Sequence, residues 1–140
     1  MYDRLIKKYE GCKLEAYKCP AGVLTIGWGN TYLKDGTKVE EGLKITQQYA
    51  DELLNLYIER YIIPTINDIG QKFTDDQKTA LASLIYNWGK KGFVNSKLYQ
   101  AIKNKDYNKI CKEWDLGFVN DLKGIYKRRT EELYLFIKDI

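Results

Sequence analysis

The fold of this chain is decided by residues 10–31, which read EGCKLEAYKCPAGVLTIGWGNT. The CPAG segment at 19–22 predicts a tight turn with proline in its second position. Residues 23–28 then alternate in polarity, as expected for a strand with one buried face. The apolar side chains of that face are Leu24, Ile26 and Trp28. Thr25 lies on the opposite face, so its hydroxyl can point into a cleft.

The segment before this strand predicts a short helix over residues 3–10, with Asp3 as its N-cap and Gly11 at its end. Glu10 then lies in the last helical turn. Ile6 is four residues earlier and shares its face, so the carboxyl is expected to be partly buried. Burial and the negative end of the helix both favour the protonated acid, which is the form that a glycosidase uses to protonate a leaving oxygen.

The rest of the chain is predicted to be mainly helical. Thr46 caps a long amphipathic helix over about residues 46–62, which Pro64 interrupts. Thr74-Asp75-Asp76-Gln77 is a capping-box sequence that opens the central core helix, with Trp88 on its apolar face. Shorter helices are expected at about 96–104, 106–115 and 125–138. The fold class is therefore α+β, with a small antiparallel sheet within about residues 16–39 and a second turn at Asp35-Gly36.

Composition limits the function. The chain has 140 residues, of which 44% are hydrophobic and 30% charged, as in a soluble globular domain. It contains no histidine, which excludes Ser-His and Cys-His nucleophile pairs. The net charge of +4 favours anionic partners. Arg128, Arg129 and the paired lysines are expected on solvated faces, and no basic-aromatic motif indicates nucleic-acid binding.

The segment quoted first resembles the N-terminal signature of the phage-type lysozymes, or endolysins, of glycoside hydrolase family 24. That signature has a Glu, eight residues, an Asp or in some members a Cys, five residues and a Thr. Glu10, Cys19 and Thr25 fit this spacing. Residues 74–89 and 124–131 are similar to the family's core helix and closing motif, so the resemblance covers nearly the whole chain.

The resemblance implies hydrolysis of the β-1,4 bond between N-acetylmuramic acid and N-acetylglucosamine in bacterial peptidoglycan, with inversion and cell-wall lysis. Glu10 would be the general acid, and Cys19 and Thr25 would position or activate water. Gly29 and Asn30 would be supporting residues, Asn30 standing where many relatives have His. No metal or cofactor is implied. The alternative is a catalytically weakened or inactive peptidoglycan-binding relative.

The resemblance also implies one lysozyme-like domain over residues 1–140, with the active cleft between two lobes. The small lobe would comprise about residues 12–45 and the N-terminal helix, and the helix at about 46–62 would connect it to a helical lobe at about 64–140. No apolar stretch is long enough to span a membrane, and no export segment is evident at the N-terminus. We therefore expect a monomer without stable membrane association, held in the host bacterial cytoplasm until its release to the cell wall.

The thiol of Cys19 leaves three roles open. Its ordinary pKa is about 8.5, and a nearby ionised carboxylate would raise it, so a mostly protonated thiol is expected. Cys19 could act as a transient thiolate base, position water together with Thr25, or attack the sugar directly. The first two roles are favoured by analogy with inverting relatives. A Cys12–Cys19 disulfide that blocks the thiol under oxidising conditions is a further hypothesis.

Overall fold

Helices dominate the chain, and a two-stranded sheet follows the first of them. A computed structural model describes residues 1–116 and 123–140. Its elements are α1 (Arg4–Glu10), β1 (Lys13–Lys18), β2 (Leu24–Gly27), α2 (Gln47–Tyr57), α3 (Ile63–Asn67), α4 (Asp75–Trp88), α5 (Lys90–Val94), α6 (Lys97–Lys103), α7 (Tyr107–Leu116) and α8 (Lys123–Ile137). A π-helical segment, Ile58–Ile62, joins α2 to α3. The predicted α+β class is confirmed.

The strands β1 and β2 form an antiparallel hairpin in which Tyr17 pairs with Thr25 and Lys18 with Leu24. The predicted turn between them is confirmed, because the Gly22 N–H donates to the Cys19 carbonyl at 2.8 Å. Gly22 has a φ of +80°, a conformation that glycine adopts without steric cost. β1 begins at Lys13, whereas the sheet was predicted to begin at about residue 16. The second predicted turn is also present, since the Asp35 carboxylate accepts a bond from the Thr37 N–H at 2.9 Å.

The first helix has its predicted end at Glu10, followed by Gly11 with a φ of +69°. Asp3 occupies the predicted N-cap position, but its side chain forms no capping hydrogen bond. Asp3 is itself in a helical conformation, and its carboxylate pairs with the N-terminal amine and with Lys7, each at 3.2 Å. Two charged partners thus take the oxygen atoms that would otherwise cap the backbone. The side chains of Leu5 and Ile6 are fully buried, which fixes the direction in which Glu10 leaves the helix.

The long helix begins as predicted, because the Thr46 hydroxyl accepts the Tyr49 N–H at 3.0 Å. The predicted interruption at Pro64 is wrong, since the chain stays helical to Asn67. Pro64 lies in the first turn of α3, where a missing N–H costs least. The preceding π-helical turn, in which the Ile63 N–H bonds to the Ile58 carbonyl, has already replaced the regular i to i−4 ladder.

The central position of α4 in the core is confirmed. Both capping-box bonds of Thr74 and Gln77 are present, at 3.1 and 2.9 Å, and the helix is buried from Thr79 to Ile85. It packs against α1 and α8. Trp88, predicted on its apolar face, is 42% exposed, and α5 was not predicted. The lobe boundaries remain predictions, and residues 117–122 of the expected helical lobe lie outside the described residues.

Candidate active site

A cleft of about 540 Å³ runs between the loop after β2 and the helices α2 and α4. We call it the main cleft. The loop contributes Gly29, Asn30 and Tyr32, and the helical side contributes tyrosines and two basic residues. These helical side chains are Tyr57, Arg60, Tyr61, Tyr86 and Lys90. The main cleft thus combines aromatic rings with hydrogen-bonding groups, a lining suited to sugars.

The Glu10 carboxyl group lies beside the main cleft, where α1 ends. Its side chain is 21% exposed. A Cβ added to Gly29 would lie only 3.1 Å from Oε1 of Glu10 and 3.7 Å from the Tyr86 hydroxyl. The Tyr86 hydroxyl donates to the Trp28 carbonyl at 2.8 Å and so fixes this loop against α4. A side chain at Gly29 would therefore strain the backbone and press against the carboxylate.

Arg128 of α8 holds the Glu10 carboxylate in place. Its Nη1 donates to Oε2 of Glu10 at 2.5 Å. Its Nε and Nη2 donate to the hydroxyl and carbonyl of Ser83, each at 3.0 Å. Arg128 is only 3% exposed, so the prediction that it lies on a solvated face is wrong. α8 and α4 together fix a cation against the candidate acid.

A second layer of charge supports Arg128. Glu132 is fully buried and accepts bonds from Arg129 Nη1 at 2.9 and 3.1 Å and from the Ser83 hydroxyl at 2.5 Å. Burial raises the pKa of Glu132, and the two arginines oppose that rise. Arg129 is also buried, again contrary to expectation. One sequence signal was available: with Ile125, these residues recur at helical spacing on one face of α8.

The Cys19 thiol lies at the start of the turn between β1 and β2. The Val23 N–H, followed by the Ala21 N–H and the Thr25 side chain, lowers the pKa of the thiol, while burial opposes this effect. The expected upward direction is therefore wrong, because the turn supplies hydrogen bonds to the thiolate. Thr25 is buried, and its hydroxyl donates to the Val23 carbonyl at 2.9 Å. The turn thus brings the Thr25 side chain next to the Cys19 thiol. The prediction that the Thr25 hydroxyl points into a cleft is wrong, because the strand buries it and the Val23 carbonyl accepts its hydrogen bond.

Tyr17 connects the two halves of the candidate site. It pairs with Thr25 across the hairpin, so the two side chains share a face of the sheet. Burial raises the pKa of Tyr17, and the negative charges of Glu10 and Cys19 act in the same direction. The phenol therefore lies within electrostatic range of both residues. Sequence reasoning assigned it no role, because alternation in polarity does not show which charged groups a tyrosine approaches.

Asn30 is almost fully buried in the loop after β2. Its backbone exchanges bonds with Ile26, at 2.8 and 2.9 Å, and so closes the loop beside Gly29. Its side-chain Oδ1 has no hydrogen-bond partner among the described residues. A supporting role for Gly29 and Asn30 remains a prediction.

The hypothesised Cys12–Cys19 disulfide does not fit this fold. The two residues lie at opposite ends of β1, and an extended strand of this length separates their Cα atoms by about 20 Å. A disulfide needs Cα atoms within about 4.4–6.8 Å. Within the described parts of the chain all cysteines are free, so a bridge would require β1 to be broken.

Two further observations concern metal ligands and membrane helices. In residues 1–116 and 123–140, no group of three or more candidate metal ligands comes together. Over the same residues no helix is long and apolar enough to cross a membrane.

A carboxyl group held by a buried arginine, beside a sugar-sized cleft between the loop after β2 and the helices, is the arrangement of a lysozyme-type glycoside hydrolase. Residues 7–132 match the model of the phage lysozyme family. An endolysin of Acyrthosiphon pisum secondary endosymbiont phage 1 is 34% identical over 139 residues, which cover 94% of this chain and 92% of that relative. The chain therefore belongs to the phage lysozyme family.

Solved structures agree with this assignment. An endolysin from Escherichia coli O157:H7 phage FAHEc1 is 26% identical, with a TM-score of 0.84, and the match covers 100% of this chain and 95% of that one. The muramidase domain of SpmX from Asticaccaulis excentricus is also 26% identical, with a TM-score of 0.79 and coverage of 95% and 92%. Peptidoglycan is accordingly the substrate class of this chain.

Proposed function

We propose that this protein cleaves the β-1,4 bond between N-acetylmuramic acid and N-acetylglucosamine, with Glu10 as general acid and inversion at the anomeric carbon. The observation that carries the proposal is the Glu10 carboxyl group, held by Arg128 beside the main cleft. The muramidase and endolysins among its relatives support the same bond and an action on the cell wall. A monomer released from the host cytoplasm is part of the proposal.

In the first step, the Glu10 proton passes to the glycosidic oxygen while the bond from that oxygen to the anomeric carbon breaks. The leaving sugar departs as an alcohol, and Glu10 becomes a carboxylate. Arg128 stabilises this charge through the bond from its Nη1 atom. The buried bonds to Ser83 keep the guanidinium from following the substrate. Arg128 is thus a positioning residue that favours the product state of the proton transfer.

Water attacks the anomeric carbon from the opposite face of the sugar and gives up a proton. We assign Cys19 as the acceptor, because its turn lowers the pKa of the thiol and so increases the thiolate fraction. The sulfur gains the proton that water loses, and the water oxygen forms the new bond to carbon. Thr25 has one hydroxyl proton, which it can donate either to the Val23 carbonyl or to the sulfur. By rotating, the Thr25 hydroxyl can donate to the sulfur when Cys19 is a thiolate and to the Val23 carbonyl when Cys19 is protonated.

The proposal is tested by digesting purified peptidoglycan and identifying the products by mass spectrometry. We expect fragments that end in reducing N-acetylmuramic acid and have gained one water. Glu10→Gln should abolish their formation, and Glu59→Gln, which changes an exposed helical glutamate, should not. Wild-type protein that binds peptidoglycan without releasing fragments would instead indicate the weakened, binding relative.

The stereochemistry is tested separately by proton NMR of the anomeric signal during early turnover. Inversion predicts that the α-anomer of the new reducing end appears first. Initial formation of the β-anomer would overturn the assignment of water as the attacking group and indicate direct attack by the Cys19 sulfur.

A further inference from the structure

Trp28 directly precedes Gly29 in the loop that passes the candidate acid, and it is held at two points. Its indole Nε1 donates to Oδ1 of Asp51 on α2 at 2.8 Å. Its backbone carbonyl accepts the Tyr86 hydroxyl of α4, also at 2.8 Å. Because Gly29 is the next residue, the position of Trp28 sets how closely the loop approaches the Glu10 carboxylate.

Asp51 connects this loop to the helix that carries Glu10. Its Oδ1 atom accepts hydrogen bonds from Trp28 and from Gln47 Nε2, the latter at 3.1 Å, and lies 3.7 Å from the Lys7 ammonium group. Lys7 belongs to α1, three residues before Glu10, and its Nζ atom lies 5.5 Å from the centre of the Trp28 ring. The bond from Trp28 is the main reason that the pKa of Asp51 lies below its ordinary value, so the carboxylate stays charged at neutral pH. We call Lys7, Asp51 and Trp28 the brace.

The two oxygen atoms of the Glu10 carboxylate face different parts of the molecule. Arg128 of α8 donates to Oε2, whereas Oε1 faces Gly29, where an added Cβ would lie 3.1 Å away. The bond from Arg128 therefore leaves the separation between α1 and the loop after β2 unfixed. The brace links these two parts directly, because one of its members belongs to α1, one to the loop and one to α2.

We propose that Asp51 is a positioning residue for the general acid, and that through Trp28 and Lys7 it sets the distance between the loop and the Glu10 carboxylate. This inference rests on the proposed function, in which Glu10 delivers the proton. A reacting group that is displaced by about 1 Å can lose up to about a hundredfold in rate. Neither Asp51 nor Trp28 is among the described residues that line the main cleft, so loss of the brace should lower kcat and leave KM nearly unchanged.

The first test compares two substitutions of the carboxylate, with solubilised peptidoglycan as substrate and rates taken per folded protein. Asp51→Ala removes the acceptor, and we expect it to lower kcat about tenfold. Asp51→Asn keeps an oxygen that can accept the Trp28 bond, and it should retain at least about half of the wild-type kcat. Asp68→Ala, the same change at an exposed aspartate that ends α3, should match the wild type. An Asp51→Asn variant as slow as Asp51→Ala would overturn the bond to Trp28 as the positioning contact.

A double-mutant cycle tests whether Asp51 acts through Trp28. Phenylalanine keeps an aromatic ring but has no N–H group to donate. If the two side chains act as a unit, Trp28→Phe should lower kcat about tenfold, and Asp51→Ala/Trp28→Phe should be no slower than Trp28→Phe alone. Losses that multiply to about a hundredfold would show independent effects and overturn the proposal. Trp28→Phe also tests the bond if Asp51→Ala does not fold.

Proton–nitrogen NMR gives a readout apart from activity. The chain has three tryptophans, and Trp28→Phe identifies the indole N–H signal of Trp28 by its absence. That signal should move further in Asp51→Ala than in Asp51→Asn, and Asp68→Ala should leave it unchanged. No movement in Asp51→Ala would overturn the bond itself. Movement with a wild-type kcat would overturn the positioning role while leaving the proposed function intact, and wild-type protein that cleaves no peptidoglycan would overturn both.

Discussion

Gly29 is the residue at which the loop after β2 passes the Glu10 carboxylate. Its φ of +103° is strained for any other residue, and an added Cβ would lie 3.1 Å from Oε1 of Glu10. Gly42 has a similar φ of +83°, but a Cβ there would meet no described atom within 4 Å, and it does not line the main cleft. Alanine variants at the two positions therefore separate the effect of backbone strain from the effect of displacing the Glu10 carboxylate.

We expect Gly29→Ala and Gly42→Ala each to lower the free energy of unfolding by about 1–2 kcal/mol, because both force alanine into the left-handed region. Only Gly29→Ala should also reduce kcat, by about tenfold to a hundredfold, since it displaces Glu10. Chemical denaturation and peptidoglycan-clearing rates measure the two effects. Equal kcat for the two variants would show that the close approach of Gly29 does not position the acid.

Cys19 determines how activity depends on pH if its thiolate accepts the water proton. A base works in its deprotonated form, so kcat/KM should rise with pH through the pKa of the thiol, which the turn lowers from its ordinary value. In Cys19→Asp the rising limb should move down towards about pH 4, the ordinary range of a carboxyl. pH–rate profiles of both proteins make the comparison.

Cys19→Ser is the matched control, because a hydroxyl keeps the shape but does not ionise in this range. It should lose most activity at every pH. A serine variant with wild-type rate and profile would mean that Cys19 only positions water together with Thr25.

Arg128 carries one charge between two buried or half-buried carboxylates. Arg128→Met leaves Glu10 and Glu132 with one cation fewer, and removal of a buried ionic partner costs about 3–5 kcal/mol. Arg4→Met removes an exposed arginine that pairs with Asp76 at 3.6 Å, and it should change stability by less than about 0.5 kcal/mol. Urea unfolding compares the variants. A small loss of unfolding free energy for Arg128→Met would show that the burial of Glu10 and Glu132 does not depend on this cation.

At the scale of elements, the start of α4 is fixed by local chemistry alone. Thr74→Ala should lower the free energy of unfolding by about 1 kcal/mol, because the Gln77 N–H loses its acceptor. Thr74→Ser keeps the hydroxyl and should retain most of that stability. The specific activity of the folded protein should be the same for both variants. Thr74 precedes the first residue of α4, whereas Tyr86, which lines the main cleft, lies near the opposite end of that helix. Thermal or urea unfolding measures the difference, and equal stability of the two variants would contradict the cap's role.

The junction between α2 and α3 shows the opposite case, in which a local signal fails. A proline within a helical pattern normally ends the helix, because its ring blocks the regular backbone bond. Here the π-helical turn Ile58–Ile62 absorbs the irregularity, and the helical path continues. Buried Ile58, Ile62 and Ile66 show that packing against the core keeps the segment in line.

At the scale of the whole molecule, the net charge of +4 should attract the enzyme to an anionic wall. We expect the lytic rate on whole walls to fall as salt is raised from 0.01 M to 0.15 M, because the Debye length shrinks from about 30 Å to about 8 Å. The rate on an uncharged soluble glycan should change much less. Equal salt dependence on the two substrates would contradict long-range attraction, and circular dichroism at each salt concentration checks that the fold is unchanged.

The sequence alone determined the features that depend on neighbours in the chain. The turn at Cys19 and the caps at Thr46 and Thr74 follow from short-range sterics and hydrogen bonding. The predicted alternation of burial along β2 does not, because Thr25 is buried together with Ile26. The spacing of Glu10, Cys19 and Thr25 resembles the signature of the phage lysozyme family, and that resemblance, with its flanking residues, indicated the family and the candidate catalytic group.

Only the tertiary structure decided what surrounds that group. Arg128 is 118 residues from Glu10 in the chain, and the contact exists because α8 packs on α4 and presents a buried guanidinium. The main cleft likewise needs the loop after β2 to lie across from α2 and α4. Charge and polarity alone cannot separate a solvated arginine from a buried one, since burial is settled by which helices meet.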